Sequence, residues 1–129
     1  MKTLTLEGDK ITDIPSFYDE INHVFMAGED WKLAPNLDAL NDMLYGSYGA
    51  AEADQPVRLI WKNMEKSRNA LGVEATRQFY ANKLQKPKAF NVAQISQRLV
   101  ELENGSGATY FEIVLEIIAQ HPRIQLIAD

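Results

Sequence analysis

The chain has no cysteine. It can form no disulfide and offers no thiol as nucleophile or metal ligand, which fits a reducing compartment. Histidine is scarce as well: His23 and His121 stand far apart, with no serine, cysteine or aspartate around them at triad spacing. The Glu-x-x-His pattern of di-metal helical bundles is absent, so metal-assisted catalysis has no framework. Asn104-Gly105-Ser106-Gly107 is glycine-rich but lacks the lysine of a phosphate-binding loop. The expectation is a protein that is not an enzyme, with no catalytic residue, no metal and no cofactor.

Long apolar runs are missing too. None approaches the ~20 residues that a membrane-spanning helix needs. The start, Met1-Lys2-Thr3-Leu4-Thr5-Leu6-Glu7-Gly8, alternates like a strand and lacks the apolar centre of a signal peptide. No membrane association is expected, and the expected address is the cytoplasm. Basic residues are outnumbered, 13 Lys and Arg against 18 Asp and Glu, for a net charge of −5. Phosphate binding needs a basic surface, so nucleic acid is not the expected direct ligand. Mild acidity is common among soluble proteins, and by itself it only permits a basic partner.

What remains is an ordinary globular composition, 46% hydrophobic and 24% charged over 129 residues, with no repeats or low-complexity tracts. That length suits a single domain over 1–129. Residues 3–7 alternate and predict a strand, and Pro15 suits the first turn of a helix whose apolar face is Phe17, Ile21, Val24 and Phe25. Residues 57–61 predict a second strand, apolar enough to be central, followed by a short helix over 62–70. Val73 to Gln85 predicts a helix ending before Pro87, and Asn91 caps another with Val92, Ile95, Leu99 and Leu102 on one side. Thr109-x-x-Glu112 is a capping box for a helix that turns Phe111, Val114, Leu115 and Ile118 to the core, and 123–127 predicts the last strand. Strands separated by helices require crossovers. The expected fold is therefore α/β, a small three-stranded parallel sheet with helices packed on its faces.

The segment richest in information is Asn36-Leu37-Asp38-Ala39-Leu40-Asn41-Asp42-Met43-Leu44-Tyr45-Gly46. Asn36 is a good N-cap, Leu37, Leu40 and Leu44 form an apolar stripe, and Gly46 suits a left-handed helix end. Asp38 and Asp42 then lie one turn apart on a single face. Like charges at that spacing cost an isolated helix about 0.2–0.5 kcal/mol, so the pair is a candidate site for a basic partner. Asp38, near the helix start, is also favoured by the helix dipole; Asp42, in mid-helix, has no such local reason. Trp31, Tyr45 and Tyr48 flank this helix, and a rigid aromatic beside an ionic patch is a frequent interface anchor. His23 reads as a surface residue. His121 reads as a helix-terminal residue favoured by the dipole.

The run Asn36 to Asp42 resembles the acidic binding helix of the barstar family, small intracellular inhibitors of secreted microbial ribonucleases. Two further segments are similar to that family in the same order. Pro56 to Ser67, with its Trp61 and its Glu65-x-Ser67, matches a middle strand and the helix after it. Asn104-Gly105 opening a helix, with Arg123-Ile124-Gln125-Leu126-Ile127 after it, matches the last helix and strand. The resemblance covers 1–67 and 104–129, so that 68–103 reads as an inserted pair of helices. The pair is expected to form a hairpin at the rim of the domain, leaving the acidic face open.

The resemblance implies a barstar-like ribonuclease inhibitor in which carboxylates stand in for RNA phosphates in a basic cleft. It assigns partner contacts to Asp38 and Asp42, to Glu116 on the last helix, and to Trp31, Asn36, Tyr45 and Tyr48. The implied partner is a basic microbial ribonuclease, bound by a monomer. The chain departs from the family at Asn41, where a Trp is usual, at Ser47, where another aromatic often sits, and at Ala34-Pro35, which replaces a glycine-containing entry. A non-inhibitory interaction module, or an immunity protein for a different toxin, is the alternative.

Overall fold

In the computed structural model, residues 1–86 and 91–129 are described. Three strands, β1 (Lys2–Glu7), β2 (Val57–Lys62) and β3 (Ile124–Ala128), form a parallel sheet in the order β1-β2-β3. Leu4 lies beside Leu59 and Leu6 beside Trp61, while Leu59 pairs with Leu126 on the other side. Helices α1 (Ile14–Phe25) and α2 (Leu37–Leu44) lie in the first crossover. The second holds α3 (Met64–Ala70), α4 (Val73–Leu84), α5 (Val92–Glu103) and α6 (Tyr110–Ala119). Among the described residues no helix is long and apolar enough to cross a membrane.

Among the described residues, one face of the sheet is covered and the other is open. Along β2, Val57, Leu59 and Trp61 are buried while Arg58 and Lys62 are exposed, and on the same outer side Thr3 and Gln125 are exposed too. The expectation of helices on both faces is not met, because the strands alternate with period two rather than running continuously apolar. The covered face builds its core around the fully buried Trp61. Its ring stacks on Phe17 at 6.0 Å and meets Phe111 edge-on at 5.4 Å, and its indole N–H donates to Ser67 Oγ at 2.9 Å. A buried indole needs such an acceptor, and Ser67 supplies it.

Local signals account for most helix ends. Asp13 caps α1 by accepting the Ser16 N–H, Asn91 caps α5 through the Gln94 N–H, and Thr109 and Glu112 close the capping box of α6. Two expectations fail. Asn104-Gly105 does not open a helix: Gly105, at φ +84°, ends α5, with its N–H and that of Ser106 donating to the carbonyls of Leu102 and Glu101. Val92 is exposed, in the first turn of α5 where the chain has only begun to pack.

The helices α4 and α5 do pack as a hairpin, with a small core of Tyr80, Ile95 and Leu102. Residues 87–90 of the stretch read as an insertion lie outside the described residues. The hairpin is more than an appendage. Thr76, fully buried on α4, accepts the Tyr110 N–H at 2.7 Å, and the Phe111 N–H donates to Leu71 O at 3.0 Å. Two of the free N–H groups that open α6 are therefore satisfied from α3 and α4.

Candidate functional site

The acidic helix forms where its sequence signals place it. Asn36 Oδ1 accepts the Ala39 N–H at 2.7 Å, and Gly46 takes the left-handed conformation at φ +93° just past the helix end. Leu40, Met43 and Leu44 are buried beneath it, Leu37 and Ala39 half-buried, and Asp38 and Asp42 exposed. A side chain at Gly46 would collide with the Ala53 backbone, so the chain can turn tightly here only without a Cβ.

Two residues from the turn after α6 hold this helix from behind. The Arg123 guanidinium donates to the carbonyls of Leu44 at 2.6 Å, Glu52 at 3.2 Å and Ala51. A cation at the negative end of the α2 dipole is favourable, and the planar fork lets one side chain serve three acceptors. His121 Nε2 lies 2.8 Å from Asn41 Oδ1, and its ring sits edge-on to Tyr45 at 4.7 Å.

His121 follows the end of α6 as expected, but it is buried there. It is 5% exposed, and burial, helped by the Arg123 charge, pushes its pKa below the usual value of 6.5. In the unfolded chain it protonates more readily than in the fold, so stability is lost as pH falls below about 6.5. His121→Gln is expected to flatten the part of the melting-temperature profile between about pH 5 and 7 that His121 causes, as thermal melts across that window would show. A profile as steep as the parent's would remove His121 as its source.

Around the carboxylates the structure gathers some predicted residues and separates others. Trp31 is 45% exposed and lies 4.8 Å from the half-buried Tyr48. The Tyr48 hydroxyl is pushed up by burial and by the negative charge of Asp42, which places Asp42 within electrostatic reach. Asp38 and Asp42 line one wall of a cleft of about 780 Å³ with Pro35, Asn36, Leu37 and Ala39; Phe79 and Lys83 of α4 form the other. Tyr45, 62% exposed, leans on His121 at the end of α2. Glu116 is exposed on α6 but borders a separate hollow with Tyr80, Arg98 and Glu101. Sequence reasoning missed Asn41, His121, Arg123, Phe79 and Lys83. The bonds of Asn41 and Arg123 span 71 to 80 residues of chain, and no local pattern marks them.

Fold and site together define a small α/β protein that displays two carboxylates on a capped helix, with aromatic rings beside it. The chain belongs to the Barstar (barnase inhibitor) family, whose profile matches residues 1–90, from β1 through α4. No curated protein matches it significantly.

Proposed function

We propose that the protein inhibits a basic microbial ribonuclease by seating the acidic face of α2 in the enzyme's RNA-binding cleft. One observation carries this reading: Asp38 and Asp42 are exposed, one turn apart, on a helix that belongs to a barnase-inhibitor family and is held rigid at both ends. A ribonuclease cleft collects Arg, Lys and protonated His to grip phosphates, and carboxylates pair with those cations while offering no bond to cleave. A rigid helix limits the ordering cost of binding. Trp31, Tyr45 and Tyr48 supply apolar contact at the border, Asn36 lies at the cleft mouth, and Glu116 is an outer contact reached from α6. The protein acts in the cytoplasm as a monomer, touches no nucleic acid, and protects its own cell without catalysing a reaction itself.

A second reading, immunity to a different toxin, draws on one feature of the cleft. Asn41 is turned to His121, and α4 supplies a wall carrying Phe79 and Lys83. In this reading the α4 wall selects a partner of its own. The test is titration of barnase activity with the purified protein: stoichiometric loss of RNA cleavage supports the first reading, and full activity at a large excess of protein rejects barnase as the target.

Salt dependence checks the electrostatic part. The Debye length shrinks from about 10 Å at 0.1 M to about 3 Å at 1 M salt, so association steered by opposite charges is expected to slow at least tenfold across that range while dissociation changes less. Stopped-flow rates that stay flat would show that the interface is held by apolar contact.

A further inference from the structure

We infer that Lys83 is an internal counter-cation of the acidic helix and a specificity determinant, which a partner's cation must displace to reach Asp38; the inference rests on α2 being the partner-facing site. Phe79 and Lys83 are one turn apart on α4 and line the same cleft as Asp38 and Asp42. The Lys83 ammonium lies 4.3 Å from the centre of the Phe79 ring. That ring is held in turn, edge-on to Tyr110 at 5.0 Å and tilted against Tyr80 at 5.4 Å. The ammonium therefore sits on a fixed aromatic platform facing the carboxylate wall. Burial lowers the Lys83 pKa, and the Asp38 charge in the same cleft acts in the opposite direction.

The cleft lined by the carboxylates already holds a cation on an aromatic face, and that cation belongs to the chain itself. A partner's lysine would only replace like with like. An arginine gains more, because the planar guanidinium stacks better on a ring and can engage a carboxylate with two N–H groups. Lys83 also repels any basic surface approaching Asp38. The cleft is thereby biased toward partners that present arginine, and it discriminates against weakly cationic ones through repulsion.

The test follows backbone amide shifts of the full chain, at low salt, during titration with a hexa-arginine peptide. Lys83→Gln is expected to tighten peptide binding about threefold, the scale of one exposed ion pair. Lys10→Gln, which removes the same charge from the turn after β1, is expected to change it much less. In an Asp38→Asn background the gain from Lys83→Gln should disappear. The inference is overturned if Lys83→Gln behaves like Lys10→Gln, if its gain survives without Asp38, or if the peptide leaves residues 38–42 unshifted in every variant. Barnase inhibition, measured separately, reads the ribonuclease assignment. A peptide result as expected with barnase unaffected keeps the role of Lys83 and rejects that enzyme as target. Barnase inhibited equally by parent and Lys83→Gln, with no peptide difference, rejects the role of Lys83 alone.

Discussion

The Asp38→Ala, Asp42→Ala double variant is expected to lose at least a thousandfold in affinity for a basic ribonuclease while remaining folded. Removing one member of a desolvated charge pair costs about 2–5 kcal/mol, roughly thirtyfold to several thousandfold, because the partner's cation stays buried without its anion. In the barnase–barstar complex itself, close charge pairs are coupled by about 1.5–7 kcal/mol. The two positions share one cleft, so their losses will not simply add. Singly, Asp42→Ala should cost more binding than Asp38→Ala, since Asp38 also serves its own helix terminus. Stability should follow the opposite order. Asp38 lies in the first turn of α2, where a carboxylate favours the helix by about 0.3–1 kcal/mol. Asp42→Ala relieves a like-charge repulsion and introduces a better helix former. Calorimetry of binding and thermal melts separate the two effects, and wild-type affinity in the double variant would refute the acidic-helix mechanism.

Arg123→Met is expected to lower stability by about 3 kcal/mol, the largest loss from any single residue near the site. Three carbonyls, of Leu44, Ala51 and Glu52, lose a charged donor at once. Hydrogen bonds to charged groups contribute about 1.5–3 kcal/mol each, and water entering this half-buried place recovers part of that. For a domain of this size the melting temperature should fall by roughly 10 °C. Methionine keeps much of the apolar stem, so the loss would report the guanidinium rather than packing. Arg123→Lys should recover less than half, because an ammonium cannot span three acceptors. The damage should be local. Exchange of the amides of Ala50 and Ala53, which bond to Phe25 O and Gly46 O, should rise before that of the sheet. A melting temperature within about 2 °C of the parent's would show that the loop after α2 holds itself.

How much of this was legible in advance depends on the range of the interaction. Asn36, Thr109 and Glu112 act on backbone groups three residues away, so their caps could be read directly, and Gly46 marked a chain reversal at the end of α2. Asn104-Gly105 shows the limit of such reading. The same pair can precede a helix or end one, and the choice fell to the length of α5. His121 was misjudged for a related reason. Its place after a helix suggested a cation favoured by the dipole, but packing against Tyr45 and Asn41 buried it.

The sequence by itself determined the α/β class, the order of the strands' crossovers and the helix that carries Asp38 and Asp42, because periodicity, caps and turn residues act over a few positions of the chain. Tertiary structure alone decided that Arg123 and His121 brace that helix, that Glu116 borders a different hollow, and that α4 brings Phe79 and Lys83 opposite the carboxylates. Those relations join residues 37 to 80 positions apart, or separate faces of adjoining helices. They depend on how amphipathic elements share one core, and no spacing along the chain encodes that.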